Sequence, residues 1–284
     1  MIDISFLRQL DRFNIVLKKR IHSAYSGSRE SQAAGAGLVF KDHRAYVPGD
    51  DPRAIDWRVY ARTDDYFIKR YEEERNMRVH IVIDASASMN FGNRLKKFEY
   101  ASMVGLGFAY MALRDNEKFE ISTFSDSLQR FRPRKGANQL ISILDQLNSL
   151  KLEGKSKFAE CLEQYKDAIK TKSMIIIISD FLFDIEKLKD TLFLFRKSEV
   201  MLVQVLDTEE VNLGIDGDVI LRDSENPVAW MRTFITNRMR NSYESELHDH
   251  TANIKSICES MNVKFLSVST DQQIFDTFYE LLRK

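Results

Sequence analysis

The sequence predicts an α/β protein, a three-layer α/β/α sandwich built on a mainly parallel central sheet. Three observations carry that expectation. Apolar runs of strand length recur at 79–84, 117–124, 173–179, 200–206 and 263–268. Segments of helical length and periodicity separate them, the pattern of strand–helix–strand units. Two of the runs also end in an acid, Asp84 and Asp180, and open α/β sheets bind ligands just outside the carboxyl ends of their strands.

In chain order, Phe6, Leu10, Phe13, Leu17 and Ile21 form a helical stripe over 6–22, with Lys18, Lys19 and Arg20 where cations suit the helix dipole. The simplest role for this helix is packing on its own domain; the alternative is docking on a partner or a membrane surface. Residues 23–38, rich in Ser, Gly and Ala, read as a loop. Asp51 before Pro52 is a helix start, predicting a short helix over 52–62 with Trp57 in the core. Arg44, Asp50, Asp56 and their charged neighbours are expected to pair with one another. Residues 65–74 have strand propensity. Helices are expected over 97–114, 137–149, 157–170, 185–196, 241–261 and 274–282, and 128–131 reads as a short edge strand. Residues 207–240 break the alternation: Val219–Arg222 and Val228–Arg232 flank Asp223-Ser224-Glu225-Asn226-Pro227, the pattern of an inserted hairpin. The expected organisation is thus an N-terminal extension over 1–78, packed on an α/β domain over 79–284 that carries the insertion.

Composition narrows the function. Basic and acidic residues balance at 42 each, so no global charge points to nucleic acid. Cys161 and Cys258 lack CxxC spacing and fall in expected helices, which suits reduced, structural thiols in a cytoplasmic protein. The N-terminus meets charges at Arg8, Asp11 and Arg12, unlike a signal peptide. No apolar run reaches the roughly 18 residues of a membrane-spanning helix.

The chemistry concentrates at Asp84-Ala85-Ser86-Ala87-Ser88. Alternation by two lets one carboxylate and two hydroxyls converge at a strand tip, an oxygen set suited to a small hard cation such as Mg²⁺. Asp180 adds a second acid, and Ser156, in the loop opening the helix at 157, can add a third hydroxyl. Two catalytic readings fail on their motifs. Gly154-Lys155-Ser156 ends like a P-loop, but position 149 is Ser where that motif needs Gly, and its nest of backbone donors is missing. An aspartyl-phosphate enzyme of the haloacid dehalogenase pattern would want an acid at position 86, which is Ser. The histidines are scattered and give no zinc spacing.

The loop Asp84-x-Ser86-x-Ser88 resembles the DxSxS signature of the metal-ion-dependent adhesion site (MIDAS) of von Willebrand factor A domains. Ser156 matches where that family places a Thr, and Asp180 its second acid. The upstream block resembles the bacterial domain-of-unknown-function family 58 more closely. It comprises Gly37-Leu38-Val39-Phe40, Arg44-Ala45-Tyr46, Pro48-Gly49-Asp50-Asp51-Pro52-Arg53, Ile55-Asp56-Trp57-Arg58, Ala61-Arg62 and Glu72-Glu73-Glu74-Arg75. Two departures stand out: Ser156 lacks the methyl that restricts a Thr rotamer, and Val39 stands where the family usually has an acid. The resemblance implies a von Willebrand factor A-like fold with Asp84, Ser86, Ser88, Ser156 and Asp180 as the metal set for Mg²⁺, Mn²⁺ or Ca²⁺. It implies a protein-interaction module and not an enzyme: an adaptor or assembly factor for chaperone-like remodelling, working with a MoxR-type AAA+ ATPase and its client, whose carboxylate docks on the cation. The alternatives are a metal-dependent phosphotransferase or hydrolase using Asp84, and a metal-free scaffold.

Overall fold

A computed structural model describes residues 2–3, 5–12, 38–73, 78–131, 138–214, 217–226 and 228–283. The chain divides into two compact units, one of residues 1–16 with 77–284 and one of residues 17–76. The extension expected over 1–78 is therefore split. The stripe of helix α1 (5–12) explains why: Ile2, Phe6 and Leu10 are buried in the main core of the first unit. The rest of the helix expected to 22, and the loop expected over 23–38 as far as residue 37, lie outside the described residues; Leu38, the last residue of that loop, is in a strand.

In the second unit, β1 (Leu38–Ala45) pairs antiparallel with β2 (Phe67–Glu73). Asp51 caps a 3₁₀ turn at Pro52–Ala54 by accepting from the Arg53 amide. The single helix expected over 52–62 is broken there. Ile55 is extended and bridges Ile68, and Asp56 caps a separate helix α2 (Trp57–Thr63). Trp57, expected in the core, is 58% exposed; it meets Tyr60 and Tyr66 edge-on, and those two rings stack at 4.6 Å. The expected ion pairing is present between Arg44 and Asp50 at 2.9 Å, and Asp56 is shared by His43 and Lys69.

The first unit is built on a six-stranded sheet. Its elements are β3 (Arg78–Asp84), α3 (Lys97–Arg114), β4 (Lys118–Phe124), β5 (Leu128–Arg130), α4 (Asn138–Ser149), α5 (Phe158–Lys166), β6 (Ser173–Ser179), α6 (Leu188–Phe193), β7 (Glu199–Leu206), the one-turn α7 (Thr208–Val211), the hairpin β8 (Gly217–Arg222) and β9 (Trp230–Ile235), α8 (Asn237–Ser260), β10 (Lys264–Ser269) and α9 (Ile274–Arg283). The helix expected over 185–196 is a 3₁₀ turn at Ile185–Lys187 followed by α6. The strand order is β10-β7-β6-β3-β4-β5, parallel throughout except for β5 at the edge.

Alternation along the central strands builds two cores. Ile81 and Ile83 of β3, with Ile176 and Ile178 of β6, face α1, α3, α4 and α9. Val82, with Ile175 and Ile177, faces α5, α6 and α8. Strands buried on both faces read as continuous apolar runs, which is why 174–178 carries Met followed by four isoleucines. Close packing of α3 depends on Gly107, where a Cβ would lie 1.9 Å from the Phe278 ring of α9.

This order also creates a switch point. From β3 the chain moves outward through β4 and β5, then returns to the other side of β3 at β6 and continues outward through β7. The segments leaving the tips of β3 and β6 run in opposite directions, the arrangement at which open α/β sheets bind ligands at the carboxyl edge.

Candidate metal centre

Asp84 ends β3 and is fully buried. Its Oδ1 accepts the Ser86 amide at 2.9 Å, a turn that Asp side chains readily form. Its Oδ2 accepts two hydroxyls, Ser156 Oγ at 2.8 Å and Ser179 Oγ at 2.7 Å. Ser86 and Ser88 lie on the following loop with their Oγ atoms 3.1 Å apart. The loop is pinned at both sides: Ala85 N–H donates to Phe124 O at the tip of β4, and Ala87 N–H to Gly154 O. Gly154 holds a φ of +86°, and a Cβ there would collide with Asp126; this tight turn positions Ser156 two residues on. Burial, reinforced by the neighbouring Asp180, pushes the Asp84 carboxyl up to about 6, against the opposing hydrogen bonds from Ser86 and Ser179.

Asp180, at the tip of β6, has a different environment. Its Oδ2 accepts from Lys97 Nζ at 2.8 Å, and its Oδ1 accepts the Leu182 amide. Lys97 opens α3 with a side chain that is 0% exposed, and also donates to Glu210 Oε1 at 2.6 Å. An ammonium at a helix N-terminus opposes the helix dipole, and burial disfavours its charge. Asp180 and Glu210 outweigh burial and raise its pKa above the ordinary lysine value. Glu210 is itself held in a reciprocal capping box with Asp207. Beyond Asp180, Phe181 takes a left-handed φ of 52° and its carbonyl accepts from His250 Nε2.

The structure thus joins Ser156 to Asp84 and Ser86 to Ser88 by direct hydrogen bonds, while Asp180 senses Asp84 through charge and is bonded elsewhere. Four contributors escape the sequence reading: Ser179, Lys97, Glu210 and Glu225. Ser179 follows Ile178, whose register partner is Ile83, so parallel pairing places it beside Asp84. Glu225, in the hairpin turn, accepts the Ser156 amide at 3.2 Å. Burial lifts its carboxyl above the ordinary glutamate value, with Asp180 and Asp223 adding to the rise.

The donor chemistry fits a small hard cation. Mg²⁺ binds oxygen at about 2.0–2.1 Å in an octahedron, which puts adjacent ligands about 3 Å apart. The Ser86–Ser88 and Asp84–Ser156 oxygen pairs, at 3.1 and 2.8 Å, have that spacing. Among the described residues no three His, Cys, Asp or Glu side chains cluster as a metal cage. A cation here would rest on hydroxyls and one carboxylate.

Fold and site together define an α/β protein with a mostly parallel sheet, helices on both faces and a polar constellation at its switch point. The chain belongs to the family described as "Protein of unknown function DUF58", which matches residues 42–253. It is 24% identical over 269 residues to the uncharacterized protein Rv1480 of Mycobacterium tuberculosis, covering 93% of this chain and 84% of the relative. It matches the uncharacterized protein Mb1516 of Mycobacterium bovis to the same extent. Among solved structures it is similar to the conserved hypothetical protein BatB from Bacteroides thetaiotaomicron, at 14% identity, 73% coverage of this chain, 97% of that one and a TM-score of 0.47. It is also similar to an aerotolerance-related membrane protein from Bacteroides fragilis, at 13% identity, 73% and 98% coverage and a TM-score of 0.42. No helix among the described residues is long and apolar enough to cross a membrane.

Proposed function

We propose that this protein is a cation-dependent protein-interaction module, not an enzyme. In this reading its first unit is von Willebrand factor A-like, and Asp84, Ser86, Ser88 and Ser156 form a MIDAS-type site for Mg²⁺, with Mn²⁺ or Ca²⁺ as substitutes. The observation that supports it best is Asp84 itself: a buried carboxylate with only neutral donors, hydrogen-bonded to the Ser156 and Ser179 hydroxyls beside the paired hydroxyls of Ser86 and Ser88. When bound, a divalent cation supplies the missing positive charge and a coordination position for a partner's Asp or Glu. Ser86 and Ser88 orient their lone pairs from a pinned loop. Ser156 brings its hydroxyl from a separate loop held by Gly154. Asp180, fixed by Lys97, adds negative charge from the next strand and stays off the cation.

For the partner we propose the class that the sequence resemblance implies, a MoxR-type AAA+ ATPase with its client. Thermal unfolding with and without Mg²⁺ or Mn²⁺ tests the site: wild type should rise in Tm and Asp84→Ala should not. A wild-type Tm indifferent to both cations would leave the protein a metal-free scaffold. Affinity purification of wild type and Asp84→Ala from the native cell tests the partner, which should be recovered with wild type alone. Tight Mg²⁺-dependent ATP binding by the isolated chain would instead favour a phosphotransferase.

A further inference from the structure

The β8–β9 hairpin stands away from the core along most of its length. Cross-strand register puts Ile220, Trp230 and Phe234 on one of its faces, and all three are more than half exposed. Its turn behaves differently. Asp223 Oδ1 accepts the amides of both Glu225 and Asn226, Asp223 N–H donates to Ala229 O, and Ala229 N–H to Asn226 O. That closed network gives Glu225 a defined direction. Its carboxylate reaches back to the Ser156 amide, on the same residue whose hydroxyl lies on Asp84. Among the described residues this is the hydrogen bond that ties residues 223–226 to the sheet-bearing body, and the Lys155 charge only partly offsets the burial of Glu225.

A half-buried glutamate within the electrostatic reach of Asp180 and Asp223 is costly to hold in its charged form. The chain could have ended this turn in a neutral side chain; instead it directs an acid onto the loop that carries Ser156. We infer that Glu225 is the chain's own carboxylate in the position that a partner's acid takes, so that docking must displace the hairpin turn. The inference rests on the cation reading above, and it names what that site binds: a glutamate-type carboxylate presented on a turn. Displacement also gives the hairpin a role. Once released from Ser156, the turn no longer holds the exposed face of Ile220, Trp230 and Phe234, which also carries the Arg232–Asp218 ion pair, in one orientation, and a partner gains that mixed face as it takes the cation.

The test uses the full chain and Mn²⁺ alone, in wild type, Glu225→Gln and Asp84→Ala. The Gln variant keeps an oxygen for the Ser156 amide and removes only the charge, and circular dichroism checks that it folds. Free Mn²⁺ is read by electron paramagnetic resonance, the water on bound Mn²⁺ by proton relaxation, and the hairpin by hydrogen exchange over 217–226. Wild type should bind Mn²⁺ about tenfold more tightly than Glu225→Gln, the scale of removing one supporting group from a metal site. Each Mn²⁺ bound to the Gln variant should relax water more strongly, because a water replaces the carboxylate. Mn²⁺ should slow exchange over 217–226 in wild type and leave it unchanged in Glu225→Gln. Equal behaviour of wild type and Glu225→Gln in all three measurements would remove Glu225 from the site and leave the cation reading standing. Wild type that takes up no more Mn²⁺ than Asp84→Ala would overturn the cation reading and this inference with it.

Discussion

Two acids end two neighbouring strands of one sheet, and their surroundings differ. Asp84 is met by two hydroxyls and an amide, and no cation pairs with it among the described residues. Asp180 is met by a buried ammonium. Neutral donors satisfy the lone pairs of a carboxylate but leave its charge uncompensated in a low-dielectric setting; an ammonium does both. The difference teaches which acid keeps an uncompensated charge in the fold. In the cation reading Asp84 is the acid left for an external charge, while Asp180 shares the Lys97 ammonium with Glu210 and accepts the Leu182 amide of the loop after β6.

The strongest challenge to that contrast is Lys97→Met. It leaves Asp180 and Glu210 buried without their cation, and removing one partner of a buried pair typically costs about 3–5 kcal/mol. Chemical denaturation should show a loss of that size, whereas Asp84→Asn, in chelator at pH 7, should show no loss. A small loss from Lys97→Met would erase the distinction between the two acids.

The second prediction concerns pH. The Asp84 carboxyl stands at about 6 in the fold against an ordinary 3.8. Raising the folded-state pKa of an acid means that the native state holds its proton more tightly than the unfolded chain. The stabilisation is therefore full below about 3.8 and lost as pH rises through about 6. In chelator, that loss should be on the order of 2–3 kcal/mol between pH 4 and pH 7, superimposed on the other titrations. Asp84→Asn should remove that component from the stability–pH curve, and Mg²⁺ should offset it in wild type at pH 7. Denaturant titrations at pH 4, 5, 6 and 7 read it directly.

Two smaller changes probe the Asp84 side alone. Gly154→Ala forces a side chain onto a left-handed backbone and against Asp126; strain of this kind costs about 1–3 kcal/mol. It should also weaken Mg²⁺ binding by moving Ser156, which calorimetric titration would show. Ser156→Thr restores a branched side chain with restricted χ1, and Mg²⁺ affinity should rise about two- to threefold through preorganisation. An unchanged affinity would mean that the Ser156 rotamer is already held by Asp84.

Much of the architecture was legible because sheets buried on both faces write themselves as apolar runs. The strands at 79–84, 173–179 and 200–206 needed only composition and length to find. The hairpin insertion showed as a break in rhythm around Asp223–Pro227. Helix continuity was less legible: Asp51-Pro52 announced a start correctly, but a second cap at Asp56 and the pairing of Ile55 with Ile68 divided the helix. Trp57 misled because a large aromatic ring reads as core, while here its partners are other rings on an exposed surface.

The sequence by itself determined the order of strands and helices, the DxSxS loop and the acid at each of two strand tips, because these are local patterns of polarity and spacing. Only the tertiary structure decided what each acid meets. Ser179 reaches Asp84 through the register of neighbouring strands. Lys97 reaches Asp180 because α3 begins beside β6, 83 positions away in sequence, and Glu225 reaches Ser156 across 69. Such meetings depend on how the chain crosses over itself, and no local spacing encodes them. They separate a carboxylate met only by neutral donors from one that meets an ammonium.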